Sequence, residues 1–446
     1  MSAQRRHVCV VTETYPPEIN GVASTLAQLV AGMRERGHTV SLVRPRQPSV
    51  DPRGLRPDPE TMLVAGMRLP GYGGARIGLP AGAALRAAWG RRRPDSAYVA
   101  TEGPLGWSAV RAGAALGIPA YGGFHTNFQS YVQHYRAGWL RHPIAAYLRR
   151  FHNATAGTFV STVHLRDELA AAGFTNLSVL GRGVDSHRFD PGRRSAALRG
   201  AWGASDDDQV VLSVGRIAAE KNIWLVVEAY RAMQRVNRSV RLVIVGDGPL
   251  RAAMARAHPD LVFRGFRIGD DLAAHYASAD VFLFPSVTET FGNVTLEAMA
   301  SGLVVVAYDY AAARVHVEDG VTGVLVRQGD PLAFVDAAVK VARAPGSLPA
   351  MRRRAREAMQ AVDWTRVVER FERLLTGAAP REENDRAEQH AVVRPGTVPV
   401  GRGAHHPEAG DGARHPACAG VDTDPAAAAL PVGEGASLHR RPVLPS

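Results

Sequence analysis

Between Phe284 and Gly302 the chain reads F-P-S-V-T-E-T-F-G-N-V-T-L-E-A-M-A-S-G, which sets two carboxylates, Glu289 and Glu297, eight residues apart. An apolar run ends at Phe284, the polar stretch Thr288, Glu289, Thr290, Phe291, Gly292 follows, and helical spacing starts near Asn293. The unpaired amides of Gly292, Asn293 and Val294 at the positive end of that helix suit a phosphate group. A carboxylate on either side can accept hydrogen bonds from sugar or ribose hydroxyls. Taken alone, the same residues also fit an ordinary helix start with one N-terminal and one solvated glutamate.

A second cluster, Val214-Gly215-Arg216-Ile217-Ala218-Ala219-Glu220-Lys221-Asn222, follows another apolar run. Arg216 can fork two phosphate oxygens, and Lys221 supplies a flexible point charge five positions on. Lys221 is one of only two lysines among 53 basic residues, so an ammonium here stands out against a background of arginine. A third segment, Thr12 to Val22, places Gly21 between a strand and a helix, where a backbone without Cβ can approach a ligand. A dehydrogenase-type G-x-G-x-x-G is missing there, and Gly71-Tyr72-Gly73-Gly74 sits in a proline-bounded loop, which excludes a Rossmann dinucleotide reading. A fourth segment, Gly122 to Phe128, carries His125. Gly246, Asp247 and Gly265 likewise end apolar runs, where backbone groups can clamp a planar base.

The elements that must hold these residues alternate in a regular way. Strand-like runs fall at 7–12, 39–43, 97–100, 118–121, 158–161 and 177–180 in a first series. A second series holds 210–214, 241–245, 261–264, 281–284, 303–307 and 323–326. Continuously apolar runs such as Val-Phe-Leu-Phe suit strands buried on both faces of a parallel sheet. Helical spacing lies between them, as over 22–37, where Leu26, Leu29, Val30 and Met33 share a face and Gly37 closes the helix. The pattern predicts an α/β protein of two doubly wound domains joined over 185–199, where Gly181, Gly183, Pro191 and Gly192 interrupt the periodicity. One more amphipathic helix is expected from Trp364 to Leu375. Beyond it, residues 380–446 hold 9 Pro and 8 Gly and no aromatic residue, a composition that predicts disorder.

Composition narrows the function classes. The 446-residue chain is 46% hydrophobic and 21% charged, with no apolar run long enough to span a bilayer and, at residues 8–11, too short a stretch for a secretory leader. A cytoplasmic protein is the expectation. Two cysteines exclude a disulfide framework, and no ligand constellation predicts a metal. The tail's His405, His406, His415 and Cys418 follow from composition, and Asp270-Asp271 reads as surface. The net charge of +11 comes with no nucleic-acid-binding motif, so an anionic ligand or membrane surface is favoured over nucleic acid. Between His125 and Ala156, Tyr131, Tyr135, Arg136, Trp139, Leu140, Arg141, Tyr147, Arg149 and Arg150 interleave aromatic and cationic side chains. That composition suits an anionic membrane surface, and the alternative is a core helix with a solvated arginine face.

Five motifs in order, F-H-T-N-F, G-R-G-V-D-x-x-x-F-D-P, G-R-I-A-A-E-K-N, I-V-G-D-G-P-L and E-T-F-G-N-V-T-L-E-A-M-A-S-G, resemble the retaining glycosyltransferases of family 4. The likeness covers roughly residues 7–376 and is nearest to lipid-directed α-mannosyltransferases and diacylglycerol glycosyltransferases. It implies the GT-B architecture, two Rossmann-like domains facing across a cleft. By this likeness residues 1–185 form the acceptor-side domain and 186–362 the nucleotide-sugar domain. Residues 363–377 return to the first domain, and 378–446 form the disordered tail. The resemblance further implies that Arg216 and Lys221 hold a diphosphate, Glu297 the ribose, and Glu289 with Thr290, Phe291, Gly292 and Asn293 the sugar. Gly21 would approach the phosphate, and His125 would sit near the anomeric centre. The donor expected is GDP-mannose, with UDP-glucose or UDP-sulfoquinovose next and a lipid or glycan hydroxyl as acceptor. No cofactor is expected, and a non-hydrolysing nucleotide-sugar epimerase is the rival. Many relatives have paired glycines where this chain has Asn20-Gly21.

Overall fold

The computed structural model describes residues 5–18, 20–47, 51, 59–68, 76–125 and 141–376. The segment after Phe124-His125 that holds Thr126, Asn127, Phe128, Tyr131, Tyr135, Arg136, Trp139 and Leu140, the Gly71–Gly74 stretch and the tail lie outside these residues.

The first sheet has seven strands in the order β3-β2-β1-β6-β7-β8-β9, all parallel. These are β1 (His7–Val11), β2 (Thr39–Pro45), β3 (Thr61–Val64), β6 (Ser96–Val99), β7 (Ala120–Gly123), β8 (Gly157–Val160) and β9 (Leu177–Val179). Between β3 and β6 lies an antiparallel pair, β4 (Gly66–Arg68) and β5 (Arg76–Gly78). The second sheet runs β12-β11-β10-β13-β14-β15, also all parallel. Its strands are β10 (Gln209–Val214), β11 (Val240–Val245), β12 (Val262–Gly265), β13 (Val281–Phe284), β14 (Val304–Tyr308) and β15 (Gly323–Val326). In each sheet the order reverses beside the first strand, the place where ligands collect at strand carboxyl ends.

Both sheets are packed on both faces, as their unbroken apolar runs require. In β1, Val8 and Val10 face one core while Cys9 and Val11 face another. In β10, Val210, Leu212 and Val214 point to one side and Val211 to the other. The helix Gly21–Glu35 buries Leu26, Leu29, Val30 and Met33, the face expected from their spacing. Its start is fixed by Asn20, whose side chain accepts a hydrogen bond from the Ala23 amide; the residue that departs from the paired-glycine pattern thus serves as an N-cap.

The helix Trp364–Leu375 comes from the far end of the second sheet's sequence and packs on the first domain. Val368, Phe371, Leu374 and Leu375 are buried there with Leu29 and Met33. The fit is close: a Cβ on Gly32 would come 2.5 Å from a Val368 methyl. Where the chain leaves the first sheet, the Val184 amide donates to the Val362 carbonyl at 3.0 Å, so the outgoing and returning strands of the chain cross in contact.

Three short strands escaped the sequence reading. β3 has four residues and β4 and β5 three each, too few to establish alternation. No helix among the described residues is long and apolar enough to cross a membrane.

Candidate active site

The residues singled out in the sequence meet in part. A cavity of about 350 Å³ is lined by Gly21, His125 and Arg182 of the first domain and by Lys221, Glu289 and the 290–294 backbone of the second, among others. Each wall owes its shape to a strand end.

On the second-domain wall, β13 stops at Phe284 and the following loop is pinned by its own carbonyls. Tyr310 donates its hydroxyl to the Glu289 carbonyl at 2.8 Å, and the Ala312 amide donates to the Phe291 carbonyl at 2.8 Å. Ser161 of the first domain donates to the Thr290 carbonyl, a direct tie across the cleft. Gly292 then takes φ +93, a left-handed turn that glycine adopts without strain, and the helix Asn293–Ala300 begins. No side chain caps that helix, so its first amides and its dipole face the cavity.

A second helix N-terminus meets it from the first domain. A Cβ on Gly21 would lie 3.9 Å from the Asn293 side-chain nitrogen, so the Gly21–Glu35 and Asn293–Ala300 helices open onto the same space. Two positive helix ends plus Lys221 make this the anion-seeking part of the cleft. Lys221 is ion-paired with Glu289, which also accepts from the Ser286 hydroxyl at 2.7 Å. Glu289 is the single carboxylate among the described lining residues.

His125 is buried and held at both nitrogens. Arg182 Nη2 lies 2.9 Å from its Nδ1 and the Tyr98 hydroxyl 2.8 Å from its Nε2. A guanidinium can only donate, so Nδ1 accepts and Nε2 carries the proton toward Tyr98. Burial and the neighbouring Arg182 charge drive the His125 pKa well down. The ring is a neutral fixture of the wall at ordinary pH.

The other expected residues lie beside this cavity rather than in its lining. Arg216 follows the lining Gly215 and pairs with buried Glu220 at 3.4 Å. Glu297 accepts from the Tyr276 hydroxyl at 2.9 Å, and burial pushes its carboxyl up to about 7. Gly246 has φ +138, and a Cβ there would fall 1.9 Å from the Gly215 carbonyl oxygen. Backbone packing between two strand ends therefore demands that glycine whether or not a ligand is present. Asp247 accepts from the Gly248 amide and pairs with Arg251 at 3.0 Å, and the Gly265 carbonyl accepts from the Gly246 amide at 2.8 Å. Asp270, 71% exposed, pairs with Arg188 and Arg193, as a surface residue does.

Two family models match the chain, Glycosyltransferase Family 4 over residues 19–188 and Glycosyl transferases group 1 over residues 208–344. A GDP-mannose-dependent alpha-mannosyltransferase of Mycobacterium tuberculosis is 32% identical over 331 residues, 72% of this chain and 84% of the relative. The chain belongs to glycosyltransferase family 4. An alpha-monoglucosyldiacylglycerol synthase of Streptococcus pneumoniae is 26% identical over 67% of this glycosyltransferase and 70% of its own length. The fold is that of Anabaena HepE solved with UDP and glucose, with TM-score 0.65 and 17% identity over 84% of this chain and all of that one. Two Rossmann-like domains across a cleft are thus the GT-B arrangement expected.

Some groups of this glycosyltransferase's cleft were not legible in its sequence. Arg182 and Ser161 become cavity and cleft residues only because β8 ends beside β7, and β9 beside β8, at one edge of the first sheet. Also at the carboxyl edge of the first sheet, Glu13 accepts from the Gly78 amide at 3.2 Å and burial pushes its carboxyl up to about 7. Glu102 meets buried His152 at 3.2 Å beside it. In the helix Arg141–Asn153, Leu148 and Phe151 are buried while Arg149 and Arg150 are exposed.

Proposed function

We propose that this enzyme transfers mannose from GDP-mannose, with retention at the anomeric carbon, to a hydroxyl of a lipid or glycan acceptor. The observation that carries the reading is the cavity where two helix N-termini and Lys221 converge opposite His125 and Gly21. Such a site suits the diphosphate of a nucleotide sugar, with Glu289 placed to accept from sugar hydroxyls. Mannose and the guanine nucleotide are favoured because the relatives at 31–32% identity are named GDP-mannose-dependent alpha-mannosyltransferases.

Retention by a front-face route agrees with the chemistry of the walls. Among the described lining residues the one carboxylate, Glu289, is already engaged by Lys221 and Ser286, and the Nδ1 lone pair of His125 is taken by Arg182. The leaving phosphate oxygen is then the group best placed to take the acceptor proton. Lys221, Arg216 and the helix ends neutralise the charge that develops on it, with no resident metal needed. Glu297 would accept from the ribose. The exposed Arg149 and Arg150, with the net charge of +11, support attachment to an anionic membrane surface near the acceptor.

Thermal-shift titration with GDP, UDP and ADP tests the nucleotide, since bound ligand raises apparent stability. Folded Lys221→Ala, Arg216→Ala and Glu289→Ala variants should each lose about 10²–10³ in transfer rate. Wild-type rates in all three would refute the assignment. Donor incubated alone, if converted to an epimeric nucleotide sugar, would refute transfer in favour of isomerisation.

A further inference from the structure

Among the cations of the cleft, Arg182 differs in one respect. Lys221 is paired with Glu289, and Arg216 with Glu220. Arg182 is 7% exposed and lines the cavity, yet its hydrogen bonds go to neutral groups only. Nη1 donates to the Leu180 carbonyl at 2.9 Å and the Gly181 carbonyl at 3.1 Å, and Nη2 to His125 Nδ1 at 2.9 Å. No carboxylate partners it among the described residues, and the segment 126–140 that follows His125 contains neither Asp nor Glu. Burying a charge without a counter-charge is costly, and such groups persist where something else supplies it.

The position of Arg182 says what that something is. It follows β9 at the crossing between the domains, where a Cβ on neighbouring Gly183 would come 2.7 Å from the Asp363–Trp364 backbone. Its guanidinium is therefore fixed on the first-domain wall beside His125, opposite Lys221 and the Asn293–Ala300 helix. If, on the donor reading above, the nucleoside rests on the second domain, the far phosphoryl group, the one bearing the sugar, would enter the cavity that Arg182 and Lys221 both line.

We propose that Arg182 is the counter-cation of that sugar-bearing phosphoryl group, a substrate-binding residue in addition to Arg216 and Lys221. The inference rests on the nucleotide-sugar reading above. His125 has a consequent role: by taking one Nη2–H on Nδ1, and being anchored to Tyr98, it holds the guanidinium of Arg182 in place in the cavity lining.

The test compares nucleotides that differ by the far phosphoryl group. Isothermal titration gives Kd for GDP and GMP (UDP and UMP if the guanine pair does not bind) with wild type and Arg182→Met, which keeps side-chain length and removes charge. GDP affinity should fall about tenfold or more and GMP affinity less than about twofold, as for loss of a charge-assisted contact to one group. Arg182→Lys, which restores the charge, should recover part of the difference. Equal losses for both nucleotides, or none, would overturn the role of Arg182. If Arg182→Met does not fold, Arg182→Gln is measured in the same way, with the same outcomes decisive. Wild-type protein that binds no nucleoside diphosphate would overturn the donor reading itself, a result separable from an unchanged ratio.

Discussion

Replacing Glu297 by glutamine should make the unliganded enzyme more stable, and increasingly so as the pH rises. Burial holds the Glu297 carboxyl at about 7 against an ordinary 4.5, although the hydrogen bond from Tyr276 pulls the other way. The unfolded chain releases this proton near 4.5 and the folded chain only near 7. Between those values the folded state binds more protons, so its stability is full below 4.5 and is lost as the pH climbs through 7. At about 1.4 kcal/mol per pH unit the span is worth about 3 kcal/mol as an upper bound. The side chain is partly exposed, and solvent screening lowers the figure to about 2 kcal/mol. Glutamine retains an oxygen to accept from Tyr276 and has no proton to lose. For a unit the size of the second domain this corresponds to a rise of about 4–8 °C in Tm at pH 8, shrinking to roughly 1 °C at pH 5. Glu13 titrates in the same direction and His316, lowered to about 4, in the opposite one, but both are common to the two proteins and cancel in the difference. Thermal unfolding of both proteins at pH 5, 6, 7 and 8 gives the result. A difference that stays constant with pH, or a variant that loses stability at pH 8, would refute the account of a desolvated carboxyl. On the donor reading the same variant should bind nucleotide more weakly, so stability and affinity would move in opposite directions.

Gly246→Ala should cost about 2 kcal/mol or more in urea unfolding, because its Cβ would overlap the Gly215 carbonyl at a positive φ that alanine resists. Phe371→Ala should cost about 3–5 kcal/mol, since that ring is buried between the returning helix and the first sheet; limited proteolysis should then cut the chain near Val362–Trp364 first. Tyr98→Phe removes the acceptor for the His125 Nε2–H and should cost about 1–3 kcal/mol, the penalty of a buried unpaired donor, read by chemical denaturation at pH 7.

The two-sheet architecture and much of one wall of the site were legible in residue type and order. Uninterrupted apolar runs such as Val-Phe-Leu-Phe, spaced between helical segments, suit strands covered on both faces, and the stripe of Val368, Phe371, Leu374 and Leu375 has the spacing of a helix seeking a surface. The turn at Gly292 and the lysine at 221 were legible for the same reason: residue type and spacing within one βα unit are local. Which units face each other was set by the packing of the folded chain. Tyr98 lies in β6, Ser161 just after β8 and Arg182 after β9, and nothing in their own neighbourhoods says that they converge on His125 or on the 288–292 loop. The surface on which the Trp364–Leu375 stripe settles was equally non-local. Nor does a linear pattern reveal that Glu289 is held by Lys221 while Glu297 turns to Tyr276, or that Gly246 is required by the Gly215 backbone. Those facts depend on distances between chain segments tens of residues apart, which the order of parallel strands sets and hydrophobic periodicity does not encode.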